Sequence, residues 1–113
     1  MDINEETSGK IEELQVLERN LQGILMQKQS VQVELNEISN ALEEVKKSKK
    51  EIHRILGGIM VLTEKNAILN ELEEKKRELT IKISAIEKQE TLLESKTNKI
   101  REEITSSLKK KKE

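Results

Sequence analysis

Leu14, Leu21, Leu35 and Leu42 recur at multiples of seven residues, and Leu17, Ile24, Val31, Ile38 and Val45 recur at seven beside them. This double row constrains the fold more than any other feature of the chain. Apolar residues stepping by three and four form one narrow stripe on an α-helix, and the stripe must be covered by another helix. Lys28 alone breaks the first row. It either sets the register of the pairing or extends its long side chain to water. The second half of the chain carries Leu72, Leu79, Ile86, Leu93 and Ile100, again at sevens. Its companion row holds Ile68, Ile83 and Ile104 but is interrupted at Lys75, Lys82, Gln89 and Lys96. The second helix is therefore expected to have the thinner seam, looser toward its C-terminal end, with Asn66 as its N-cap.

Composition agrees with seams rather than a thick core. The 113 residues include no Phe, Trp or Tyr; 34% are hydrophobic and 38% charged. The expected fold is mainly α: one domain over 1–113, an antiparallel two-helix coiled coil with a central hairpin. The helices are placed at about 5–47 and 67–108, the hairpin at about 51–64. Helices of about 40 residues span roughly 60 Å at 1.5 Å per residue. A short connection makes them antiparallel, which brings the two chain termini together.

Several functions are disfavoured. The chain has no cysteine for disulfides or thiolate metal sites, and one histidine, His53, which cannot form a cluster. A formal net charge of −1 is no footprint for nucleic acid. No apolar run reaches membrane-spanning length, and "MDINEETSGK" lacks the apolar core of a signal peptide. Catalysis needs polar groups converging in a pocket, which a two-helix rod does not offer. The expectation is a non-enzymatic cytoplasmic protein with no cofactor, no metal and no catalytic residues.

Between the helices lies "EIHRILGGIMVLTEK", residues 51–65, apolar and β-branched around Gly57-Gly58. Two glycines between such runs signal a hairpin, because a type I′ turn needs positive φ at both central residues. Strands are expected near 52–56 and 59–63, pairing Leu56 with Ile59, Ile55 with Met60, and Arg54 with Val61. Ile52, Ile55, Leu56, Ile59, Met60, Val61 and Leu62 make both faces apolar. One face can pack on the helix ends; the other has nothing in this chain to cover it. A lone hairpin is marginal in water and exposes unpaired edges. The segment is therefore expected to join hairpins of other copies in a closed β-barrel. At the opposite end, Ile3, Ile11, Leu14 and Leu17 of one helix meet Ile100, Ile104 and Leu108 of the other. Several such tips held together suit multivalent, unselective capture of apolar segments.

Three stretches carry a resemblance: "ILMQKQSVQVELNEISNALEEV", "EIHRILGGIMVLTEK" and "NELEEKKRELTIKISAIEKQETLL". In order and separation they resemble the β-type subunits of the prefoldin family, and the hairpin between two such helices is the specific part. The resemblance implies a hexamer of two α-type and four β-type subunits with hairpins in a double β-barrel body. It implies that the coiled-coil tips hold unfolded client proteins without ATP and deliver them to a group II chaperonin. An α-type subunit carries two hairpins, whereas this insert fits one. The chain departs from the family at His53, where relatives often have an aromatic residue. The competing function is a structural coiled-coil spacer that only oligomerises.

Overall fold

The computed structural model describes residues 4–112. Its elements run α1 (Glu5–Lys47), β1 (Ile52–Leu56), β2 (Ile59–Thr63) and α2 (Lys65–Lys112). Two long helices flank a central antiparallel hairpin. The chain divides into two compact units. One comprises Gln29–Ser84 and contains the hairpin; the other comprises Met1–Lys28 and Ala85–Glu113.

Helix α1 starts where Asn4 caps it: the Thr7 backbone N–H donates to Asn4 Oδ1 at 2.7 Å. Glu5 and Glu6 in its first turn and Lys46 and Lys47 in its last complement the helix dipole. Both apolar rows of α1 turn inward. Val31 and Leu42 are buried, and Leu14, Leu17, Leu21, Ile24, Leu35, Ile38 and Val45 are half-buried. At its C-terminal end, the Lys65 ammonium donates to the carbonyls of Lys46 at 3.2 Å and Ser48 at 2.9 Å. These carbonyls have no helical partner further on, so a cation from the start of α2 supplies one.

The start of α2 differs from expectation. The helix begins at Lys65, and the Ile68 N–H donates to the Glu64 carbonyl at 3.1 Å. Asn66 therefore lies inside the first turn and does not cap it. Strand β2 ends at Thr63 and the helix follows after one residue, leaving no room for a cap further on.

The companion row of α2 is also different. Ile68, Ile83 and Ile104 are buried, as is Thr97, and Glu90 is half-buried. Lys75, Lys82, Gln89 and Lys96 are exposed. The inward row thus contains Glu90 and Thr97 rather than being broken by the lysines. Ile83, Glu90, Thr97 and Ile104 are themselves spaced by sevens, each four residues after a member of the first row, Leu79, Ile86, Leu93 and Ile100. Lys75, Lys82, Gln89 and Lys96 instead follow Leu72, Leu79, Ile86 and Leu93 by three residues, which at about 3.6 residues per turn puts them on the opposite flank of that row. Counted at sevens from Ile68, the row reaches Lys82, Gln89 and Lys96, each one residue short of the buried face.

The hairpin pairs Ile52 with Thr63, His53 with Leu62, Arg54 with Val61, Ile55 with Met60 and Leu56 with Ile59. Gly57 and Gly58 have φ of 54° and 82°. These left-handed conformations let a two-residue turn follow the right-handed twist of the strands.

Candidate functional site

The candidate site is the hairpin, because its apolar side chains face solvent. Ile55 is 72% exposed, Met60 68% and Leu62 60%; Leu56, Ile59 and Val61 are also exposed. Directly paired residues share a face, and neighbours along a strand alternate. One face therefore carries Ile52, Arg54, Leu56, Ile59, Val61 and Thr63. The other carries His53, Ile55, Met60 and Leu62. On the first face Ile52, Arg54 and Thr63 are half-buried; on the second all four residues are exposed. The two faces are inequivalent: the first is turned toward the helices at its base, the second toward solvent throughout.

Arg54 supplies the tie. Its Nη1 donates to Glu71 Oε2 at 3.0 Å and its Nη2 to Glu71 Oε1 at 3.1 Å. This fork joins the middle of β1 to the second turn of α2. A cluster of exposed apolar side chains on a two-stranded ribbon is the kind of patch that marks a protein interface. Both strands also have unpaired outer edges, since the sheet contains only β1 and β2.

The expected client-binding residues lie in the other unit, except Ile3, which falls outside the described residues. Ile11, Leu14 and Leu17 of α1 and Ile100 and Leu108 of α2 are half-buried, and Ile104 is buried. They contribute to the helix seam and are partly occupied there. Cross-helix polar contacts hold the same unit together. The hydroxyls of Thr7 and Ser107 are hydrogen-bonded at 2.7 Å. Arg101 donates to Glu18 at 3.1 Å, and Lys10 lies 3.7 Å from Glu103. Lys28 Nζ donates to Glu90 Oε1 at 3.0 Å. That bond, reinforced by the charges of Glu90, Glu87 and Glu94, holds the lysine pKa above its ordinary 10.5, against the opposing effect of desolvation.

Some apolar residues of this unit lie outside the seam. Val16, Leu25, Met26 and Leu92 are exposed. Leu92 and Leu93 border a shallow groove with Ile24 and Gly23, flanked by Arg19 and Gln89. Val16, Leu25, Met26 and Leu92 lie off the rows, where water-facing residues are usually polar. Among the described residues no group of three or more His, Cys, Asp or Glu side chains is arranged to hold a metal ion. No helix among them is long and apolar enough to cross a membrane.

Comparison with known proteins agrees with this arrangement. The prefoldin subunit family matches residues 8–111. Prefoldin subunit beta of Thermococcus onnurineus is 33% identical over 109 residues, covering 95% of this chain and 94% of the relative. Prefoldin subunit beta of Pyrococcus furiosus is 31% identical, covering 95% and 93%. The crystal structure of the prefoldin beta subunit from Thermococcus strain KS-1 superposes with a TM-score of 0.88 at 30% identity, covering 95% of this chain and 96% of that one. Two helices around a single hairpin, matched along nearly their whole length by these β subunits, place the chain in the prefoldin subunit family of chaperones.

Proposed function

We propose that this chain is the β-type subunit of an ATP-independent chaperone that holds non-native polypeptides. The observation that carries the reading is the hairpin: apolar on both faces, exposed, and set between helices whose own apolar rows are spent on each other. Hairpins of several copies, together with an α-type subunit in the ratio of two α to four β, close into a barrel and cover those faces. The helix ends remote from the hairpin then act together on one client. The client is passed to a group II chaperonin, and the site of action is the cytoplasm.

The residues assigned to client contact are Ile11, Leu14, Leu17, Ile100, Ile104 and Leu108, with Ile3. The partial burial of Ile11, Leu14, Leu17, Ile100 and Leu108, and the burial of Ile104, support a seam that has to part before these residues reach a client in full. Each contact is weak, since burying one Leu or Ile side chain is worth roughly 1.5–3 kcal/mol and part of that is lost to ordering. Retention then depends on several helix pairs binding at once.

The test removes residues 1–13 and 101–113. The hairpin and the inner seam remain, so assembly with the α-type subunit should persist. A denatured protein diluted into buffer without ATP should stay soluble with the full-length complex and scatter light with the truncated one. If the truncated complex assembles and protects equally well, the helix ends are not the binding site. A structural spacer is then the better description.

A further inference from the structure

We infer that the Arg54–Glu71 pair selects which face of the hairpin is presented to other copies, so that these two residues orient assembly without joining the apolar contact. The inference rests on the assembly reading above. Arg54 is the one permanently charged side chain among the strand residues Ile52–Leu56 and Ile59–Thr63. It sits midway along β1, on the face that carries Ile52 and Thr63. Its two N–H groups reach both oxygens of Glu71, at 3.0 and 3.1 Å. A forked guanidinium–carboxylate pair fixes direction as well as distance, which a lysine ammonium does not.

The consequence is a choice between faces. With the fork formed, His53, Ile55, Met60 and Leu62 point away from the helices. If the ribbon rolled over about its long axis, Ile55 and Met60 would turn inward. Arg54 would then enter the surface offered to other copies, where a desolvated and unpaired charge is strongly unfavourable. The fork is not the only tie. Lys65 joins the start of α2 to the terminal carbonyls of α1 at the hairpin base. One tie at the base leaves the ribbon free to swing; a second, halfway along a strand, fixes its angle. Both side chains of the fork remain accessible to water, Arg54 at 40% and Glu71 at 55% of the side-chain surface. Such pairs contribute little to fold stability. A merely stabilising role therefore predicts that losing the pair changes nothing measurable in assembly.

The experiment uses the full-length chain in four forms: wild type, Arg54→Glu, Glu71→Arg, and both reversals together. Spin labels on cysteines introduced at Met60 and Glu78 report the hairpin-to-helix distance. The expected result is a narrow distribution in wild type, a broad one in each single reversal, and a narrow one again in the double reversal. Helix content should be equal in all four. Sedimentation of unlabelled chains, with Ile55→Lys as a control, reads association. Single reversals should weaken it by at least about fivefold and the double reversal restore it. Unchanged distance distributions in the single reversals overturn the proposal, whether or not copies associate. If Ile55→Lys abolishes association and the reversals leave it intact, the orienting role fails while the assembly reading stands. If Ile55→Lys also leaves it intact, the assembly reading fails with it.

Discussion

Replacing Thr97 with Val should make the protein more stable. Thr97 is 1% exposed, and its Oγ1 has no hydrogen-bond partner. Thr80 and Thr91, on the outer face of the same helix, donate to the carbonyls of Lys76 at 2.8 Å and Glu87 at 3.0 Å. Thr97 forms no such bond. A buried hydroxyl left unpaired costs about 1–3 kcal/mol. Valine has the same branching, so helix propensity barely changes. A methyl in place of the hydroxyl adds apolar burial worth about 0.8 kcal/mol at most. Some strain from the larger group works against this, and a net gain of about 1–2 kcal/mol is expected. Thermal unfolding followed by circular dichroism would show it as a rise of roughly 4–16 °C for a domain of this size.

Thr7 provides the control. It is equally buried, yet its hydroxyl is bonded to that of Ser107 at 2.7 Å. Thr7→Val strands the serine and should lose about 1 kcal/mol. The same chemical change should therefore have opposite signs at two buried seam positions. If Thr97→Val leaves stability unchanged or lowers it, the hydroxyl is satisfied in solution and the reasoning fails. The variant also bears on function. A seam that must part for Leu14, Leu17 and Ile100 to reach a client should protect that client less well once it is tightened.

Two further predictions concern the turn and the polar pair of the seam. At Gly57, with φ of 54° and open space around the missing side chain, the obstacle to substitution is the backbone and not a clash. Gly57→Asn should be tolerated, Gly57→Ala should lose about 1 kcal/mol of hairpin stability and Gly57→Val more, with association falling further than helix content. At Lys28, a pKa raised in the folded state means stability that is fully present below the ordinary 10.5 and is lost as pH rises through the higher folded value. Wild type should accordingly lose more stability than Lys28→Met in denaturant titrations above pH 10.5, and the two pH profiles should run parallel from pH 7 to 9. A constant difference across the whole range would show that the ammonium of Lys28 does not contribute through its charge.

What the sequence determined by itself is local or strictly periodic. A Gly-Gly pair between β-branched runs leaves a two-residue turn with one register, so Leu56–Ile59, Ile55–Met60 and Arg54–Val61 were readable as pairs from spacing alone. The rows of α1, Leu14 to Leu42 and Leu17 to Val45, were readable because apolar repeats interrupted only at Lys28 fix the buried face without knowledge of the partner. Exposure of the hairpin followed from counting faces against the chain available to cover them. What the tertiary structure decided depends on the stagger between two helices and on the angle of the ribbon. Counted at sevens from Ile68, the companion row of α2 led to Lys82, Gln89 and Lys96; the buried row, also at sevens, lies one residue on at Ile83, Glu90 and Thr97, because the lie of α1 decides which flank of the Leu79, Ile86 and Leu93 row is covered. Whether Lys28 reached water or a carboxylate turned on which residue of α2 came opposite, and that residue was Glu90. The half-burial of Ile11, Leu14, Leu17, Ile100 and Leu108, and the burial of Ile104, likewise required both helices in place. Arg54 and Glu71 are 17 residues apart with a turn and a helix start between them, so no periodicity links them. Only the folded geometry brings that guanidinium onto that carboxylate, because the direction of a side chain off a strand and the approach of the next helix are set by packing, not by spacing.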